Sequence, residues 1–179
     1  MNGKNGIDPR GPRFGAAITA TLLLIDFIFT LPLAATETDL QSFGYLLMVF
    51  ISAIFIYGAI AGIADHPYGY IFRWLVLPRL KKTDEVENPA GPTFAQWVGF
   101  IITMLGILLY IVGFSIALPI AAGLAFVAAF LNSVFGYCLG CQIYLFFAKR
   151  GVTFGLEPKP KKKAAAMKHA KPAKADPSI

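Results

Sequence analysis

Four long runs of apolar residues, separated by short polar segments, dominate the pattern of this chain. They cover about residues 14–33, 44–64, 94–116 and 120–147. Each is about 20 residues or longer, the length that a helix needs to cross the hydrocarbon of a bilayer. A helix also pairs the backbone polar groups within its own segment, as lipid requires. The pattern therefore predicts an all-α integral membrane protein with four transmembrane helices.

The connections between these runs suggest the remaining elements. Residues 65–92 form the longest connection, and residues 68–77 within it mix aromatic side chains with a cation. That composition is typical of a short helix lying in the membrane interface. A breaker cluster follows it, and we expect Thr93 to cap the next helix.

Positive charge marks every second connection. Lys and Arg occur in residues 1–13, in the middle connection and after the fourth run, whereas the other two connections contain neither. Because loops rich in Lys and Arg are retained in the cytoplasm, both termini are predicted to be cytoplasmic. We therefore divide the chain into a cytoplasmic N-terminal segment (1–13), a four-helix membrane domain (14–150) and a C-terminal tail (151–179).

Composition supports the membrane prediction and explains the net charge. The chain is 56% hydrophobic and only 15% charged, whereas soluble domains carry roughly 25% charge. Residues 156–179 hold seven lysines against two acids, so they carry +5 of the net +6. This low-complexity segment predicts a disordered basic tail that could bind anionic lipid head groups. The charge therefore gives no reason to expect specific nucleic-acid binding.

The two cysteines are the strongest candidates for chemistry. Cys138 and Cys141 are three positions apart in the fourth run, close to the cations at its end. A Cys-x-x-Cys pair can cycle to a disulfide, since the second thiol resolves a mixed disulfide formed by the first. In a continuous helix the pair would lie near the C-terminus, where the helix field raises a thiol pKa.

Two other interpretations of the cysteines stay open. Both side chains could be small packing residues beside Gly136 and Gly140. They could also bind a metal, although two thiolates from one chain do not complete a tetrahedral site. We therefore predict no metal, and no other cofactor.

Three polar residues are weaker candidates. Asp26 is an acid inside the first run, where a carboxyl group is costly and faces the bundle interior. It could be a proton or substrate site, or a neutral group hydrogen-bonded to Asn132, Ser133 or Thr103. His66 could act as a base near the thiols or be a solvated loop residue.

Several short segments resemble a bacterial membrane-protein family, domain-of-unknown-function family 4395. They lie at residues 7–14, at 66–69 with Arg73, at 78–80, 87–89 and 94–96, and at 132–144, the last with the Cys-Leu-Gly-Cys core. The resemblance implies four helices, the cysteine pair as a family feature, and a bacterial inner (cytoplasmic) membrane. It also favours a thioredoxin-like or sulfurtransferase partner.

Three hypotheses about function follow. The first is a membrane dithiol protein that exchanges electrons or sulfur with a cytoplasmic partner through Cys138 and Cys141. The second is a non-catalytic accessory subunit of a larger membrane complex. The third is a small transporter that uses Asp26.

Overall fold

The computed structural model describes residues 6–31, 38–81, 83 and 85–151. Residues 1–5 of the predicted N-terminal segment, residues 32–37 after the first run, and the predicted disordered tail from residue 152 onwards lie outside these residues. The described part of the chain folds into six α-helices, which are α1 (Arg10–Thr30), α2 (Thr38–Ala61), α3 (Pro67–Ile71), α4 (Ala90–Ile111), α5 (Ala117–Phe135) and α6 (Leu139–Lys149).

Four of these helices, α1, α2, α4 and α5, are long and apolar enough to cross a membrane. The all-helical fold with four spans is thereby confirmed, and the chain is a multi-pass membrane protein. The residues predicted to form an interfacial helix are also helical, as α3 followed by a π-helical turn at Phe72–Val76. The largest difference from the predicted elements is in the last apolar run, which forms two helices, α5 and α6, instead of one.

The bundle packs through small residues and a few large apolar ones. α1 contacts α5 and α2, and α4 contacts α2 and α5. One buried cluster joins Met48 to Ile107 and Leu118, and a second joins Leu23 of α1 to Ile51 of α2. Because lipid is as apolar as the core, close van der Waals packing stabilises such contacts more than the hydrophobic effect does.

The helix ends near α3 are tied together at one end of the bundle. Ile7 and Glu87 exchange two backbone hydrogen bonds of 3.0 and 2.9 Å, which join the start of α1 to the start of α4. The guanidinium of Arg10 donates to the backbone oxygen of Lys81 at 3.0 Å. We call this the basic end, because its segments carry Arg10, Arg13, Arg73, Arg79 and Lys81.

Thr93 does not cap α4, so that expectation is wrong. The helix begins three residues earlier, at Ala90, whose N–H donates to the Asn88 side-chain oxygen at 3.0 Å. The Thr93 hydroxyl lies inside the first turn and accepts a hydrogen bond from the Ile63 N–H at 3.3 Å. It thereby connects the end of α2 to the start of α4, next to the candidate site.

Candidate functional site

A glycine divides the last apolar run into two helices. Gly136 has φ +65°, a left-handed conformation that L side chains rarely adopt, and its N–H donates to the Asn132 carbonyl at 3.1 Å. A side chain at this position would also come within 2.6 Å of the Arg13 guanidinium, which packs over the glycine. The left-handed conformation therefore favours glycine here, whereas the Arg13 guanidinium is the end of a flexible side chain and could move aside.

The break places the cysteine pair at the start of α6. Cys138 is the N-cap residue, and its Sγ accepts a hydrogen bond of 3.2 Å from the Cys141 N–H. The two cysteines form a disulfide, with Cα atoms 5.2 Å apart. The expectation that the pair lies late in a helix is therefore wrong. The amide dipoles at a helix N-terminus favour a thiolate. The helix field therefore acts on the cysteines in the opposite direction from the one expected for a continuous helix.

The two sulfurs differ in their surroundings. Cys141 is 8% exposed, and its Sγ lies so close to α4 that a side chain on Gly91 would come within 3.2 Å of it. Gly140 likewise lets α6 approach α4, because a Cβ here would lie 2.5 Å from that of Ala95. Cys138 is half-buried and lines a cavity. One sulfur is therefore accessible, and the other is shielded behind it.

The cavity extends from the basic end into the bundle and has a volume of about 590 Å³. All four long helices, the α3 segment and the start of α6 line it. Apolar side chains form most of its wall, and polar groups are few. The polar and charged side chains that line it are those of Asp8, Thr19, His66, Tyr68, Arg73, Gln96, Asn132 and Cys138.

His66 is buried in the wall of this cavity. It is 3% exposed, and its Nδ1 accepts the Tyr68 N–H at 3.3 Å as the N-cap of α3. The interpretation of His66 as a solvated loop residue is therefore wrong. Burial lowers the pKa of His66 from 6.5 to about 4, so the ring is neutral at pH 7.

Two buried polar atoms beside this wall have no hydrogen-bond partner among the described residues. They are His66 Nε2 and Gln96 Oε1. A Cβ on Gly58 would lie 3.0 Å from each of them, so the two atoms are at most twice that distance apart. Gly58 does not line the cavity, so these two unpaired atoms lie in the packing between α2 and α4 rather than at the cavity surface.

Two carboxyl groups at the basic end, those of Asp8 and Glu87, have pKa values that their surroundings shift. Asp8 and Arg10 form a salt bridge of 2.7 Å, and the hydrogen bond from Arg10 lowers the pKa of Asp8. Burial raises the pKa of Glu87, although the nearby Arg13 partly opposes this. Arg13, Glu87, Asn132 and Gly136 also line a second, smaller pocket.

Asp26 lies outside the site. It is fully buried in α1, and neither of its carboxyl oxygens has a hydrogen-bond partner among the described residues. The expected hydrogen bonds to Asn132, Ser133 or Thr103 are absent, because the hydroxyls of Ser133 and Thr103 donate to carbonyls of their own helices and Asn132 lines the cavity.

The structure brings together four of the five sequence candidates. Cys138 and His66 line the main cavity with Asn132, Cys141 lies directly behind Cys138, and Asp26 is separate. Gln96 was missed, because a lone glutamine in an apolar run also suits simple helix packing. Within the described residues, no cluster of three or more His, Cys, Asp or Glu could hold a metal ion.

We expect the reduced protein to be alkylated first at Cys138. Its sulfur lies at a helix N-terminus and lines a cavity, whereas Cys141 is covered by α4. Peptide mass spectrometry after short exposure to iodoacetamide measures this. Cys141→Ser should keep the fast reaction and Cys138→Ser should slow it by roughly tenfold or more. Equal rates in the two variants would contradict the assignment.

We also expect His66 to make the stability depend on pH. Between pH 6.5 and about 4 the unfolded chain binds a proton at His66 that the folded chain does not. The contribution of His66 to the free energy of unfolding is therefore fully present above pH 6.5, and it is lost as the pH decreases towards 4. The melting temperature in detergent should decrease over this interval, and less so in His66→Asn, since Asn also caps helices. An identical pH profile in the variant would refute this role.

Comparison with known proteins identifies the family. The family description "Domain of unknown function (DUF4395)" matches residues 7–149, which include all six helices and the cysteine pair. Neither the curated proteins nor the solved structures yield a match. The family resemblance given by the short segments of the sequence is thereby confirmed. This chain belongs to the DUF4395 family.

Proposed function

We propose that this protein is a membrane-bound dithiol–disulfide protein that exchanges electrons with a thioredoxin-like partner through Cys138 and Cys141. The observation that carries the proposal is the position of the pair. Cys138 caps the N-terminus of α6 and lines a cavity, and Cys141 lies buried one turn behind it. An accessible first sulfur that is stabilised as a thiolate, with a shielded second sulfur, suits a nucleophile and its resolving thiol.

The exchange transfers two electrons in two steps. The Cys138 thiolate attacks a disulfide of the partner, so one S–S bond breaks and a mixed disulfide forms. Cys141 then loses its proton and attacks Cys138 Sγ, which releases the partner as a dithiol. The partner gains two electrons and the pair becomes the disulfide. The reverse sequence uses the same bonds when the partner is the reductant.

The buried second cysteine favours electron exchange over sulfur transfer. A sulfur carrier needs one cysteine that holds a persulfide, and a neighbouring thiol would attack that persulfide and release the sulfur. Cys141 lies within bonding distance of Cys138, so it would do this. A sulfurtransferase partner is therefore the less favoured of the two partners.

Exposed side chains around the break support docking of a protein. Tyr137 is 49% exposed and Leu139 is 37% exposed, and these residues flank Cys138 in the chain. Aromatic and apolar groups of this kind are enriched at protein interfaces. A partner that covers them would come into contact with the segment that carries the accessible sulfur.

The distribution of cations supports a cytoplasmic position for this site. All five Lys and Arg residues between positions 10 and 81 lie in the segments of the basic end. At the opposite end, the connection Val112–Ile116 has no charged residue. Lys and Arg flanking membrane helices are retained inside, so we propose that the basic end faces the cytoplasm, with the helices in a bacterial inner membrane.

One observation favours a transporter as a second candidate. Asp26 and Ser52 are both buried in the bundle with side-chain oxygens that lack partners. An intramembrane carboxyl group of this kind is a default candidate for a proton or substrate site. This function would be independent of the cysteines.

A matched pair of trapping variants tests the proposed exchange. In Cys141→Ser the resolving thiol is absent, so the mixed disulfide between Cys138 and the partner should accumulate in native membranes. Cys138→Ser should trap no partner, because Cys141 is shielded. Non-reducing electrophoresis, followed by mass spectrometry of the captured band, identifies the partner.

The identity and amount of the captured protein decide between the hypotheses. A thioredoxin-like protein trapped by Cys141→Ser alone supports the proposal, whereas a sulfurtransferase would replace electron exchange by sulfur transfer. No adduct in either variant, with unchanged growth of the double variant, would leave the accessory-subunit hypothesis. Loss of solute uptake in Asp26→Asn with normal trapping would favour the transporter.

A further inference from the structure

We propose that the cavity beside Cys138 binds a lipid-soluble quinone, which oxidises the Cys138–Cys141 dithiol. This inference rests on the proposed function, because it names the second substrate of the same cysteine pair. A protein that gives electrons to, or takes them from, a soluble partner needs another reactant to reset its cysteines. The walls of the cavity indicate what kind of molecule that reactant is.

The size and depth of the cavity suit a quinone ring with part of its isoprenoid chain. Its volume of about 590 Å³ lies within the range of roughly 300–1,000 Å³ that small-molecule sites occupy. Phe55, Ile102 and Leu124 line it, and all three belong to membrane-spanning helices. The cavity thus joins the apolar interior of the bundle to the reactive sulfur, and its wall suits an apolar ligand.

The polar side chains that line the cavity suit both redox states of a quinone. Thr19, Tyr68 and Asn132 line it, and hydroxyl and amide groups can both donate and accept hydrogen bonds. A quinone carbonyl accepts a hydrogen bond and a quinol hydroxyl can also donate one, so these groups can serve the oxidised and the reduced ligand.

The apolar wall and the buried histidine argue against a charged reactant. Among the cationic side chains that the structure describes, Arg73 alone lines the cavity, and its guanidinium is already held by the Ala64 carbonyl at 2.9 Å and stacked on Tyr70. Burial keeps His66 neutral at pH 7. A phosphate, carboxylate or peptide ligand would therefore find little to balance its charge, whereas a neutral ring needs no counter-charge.

The redox step balances without any further reactant. The two S–H bonds of the reduced pair break and one S–S bond forms between Cys138 and Cys141. The two electrons and two protons that leave the thiols convert the quinone into a quinol. The quinol then returns to the lipid, and the disulfide takes electrons from the dithiol of the soluble partner.

A quinone-reduction assay with a cavity-filling variant tests this inference. The full chain is placed in lipid nanodiscs, reduced, freed of reductant without oxygen, and mixed with decylubiquinone. That ring is fully substituted, so it does not form simple thiol adducts. Quinol formation is followed by ultraviolet absorbance, and disulfide formation is followed by maleimide labelling of Cys138 and Cys141. Wild type should form one quinol for each disulfide.

Two variants on neighbouring positions of α5 separate a site from general quinone chemistry. Ala128→Phe fills the cavity, and we expect it to slow quinone reduction by at least about tenfold, the effect of a 1.4 kcal/mol barrier. Val127→Phe adds the same ring on the adjacent residue, which is 51% exposed and does not line the cavity, so the rate should stay at the wild-type value.

The melting temperature of Ala128→Phe will show whether this variant folds. If it does not, another cavity variant keeps the test valid. Asn132→Leu removes an amide that lines the cavity and keeps a side chain of similar size, so it should raise the quinone concentration required for half-maximal rate. Equal rates in Ala128→Phe, Val127→Phe and wild type would overturn the inference, as would quinol formation in Cys138→Ala/Cys141→Ala. Because partner trapping by Cys141→Ser needs no quinone, failure of this inference remains distinct from failure of the proposed exchange.

Discussion

The arrangement of the site depends on the interruption of the last apolar run at Gly136. A transmembrane helix must satisfy its backbone groups internally, so an interruption is tolerated where a helix ends and other groups accept or donate the freed hydrogen bonds. Here the Gly136 N–H returns to Asn132, and the Cys141 N–H bonds to Cys138 Sγ. The first of these hydrogen bonds ends α5, and the second begins α6 at the cysteine pair.

The polar groups of the cavity follow from close approaches at this end of the bundle. Gly58 leaves room beside α2 for the ring of His66 and the amide of Gln96, and Gly140 lets α6 press against α4. These contacts bury one sulfur of the pair and one histidine, and they leave Cys138 on the cavity wall. Small residues thus determine which reactive groups are accessible.

The four spans can be predicted from the sequence, because a long apolar run in lipid satisfies its backbone hydrogen bonds by forming a helix. It does not reveal the break at Gly136, since residues 120–147 are almost uniformly apolar and glycine is common inside membrane helices. It also misses the burial of His66, because the residues beside it in the chain, Asp65 and Pro67, suggest an exposed turn. What covers His66 comes from α2 and α4, and only tertiary packing reveals that. For Asp26 the sequence predicts the burial of the carboxyl group correctly, but it does not predict which side chains lie near that group.

The helix break itself can be measured without any assumption about function. Backbone chemical shifts of the labelled protein in nanodiscs report the conformation of each residue from Ala117 to Lys149. The account predicts helical shifts through Phe135, a left-handed glycine at Gly136, an extended Cys138, and helical shifts again from Leu139. Uninterrupted helical shifts across this interval would place the cysteines inside a continuous helix and contradict the account.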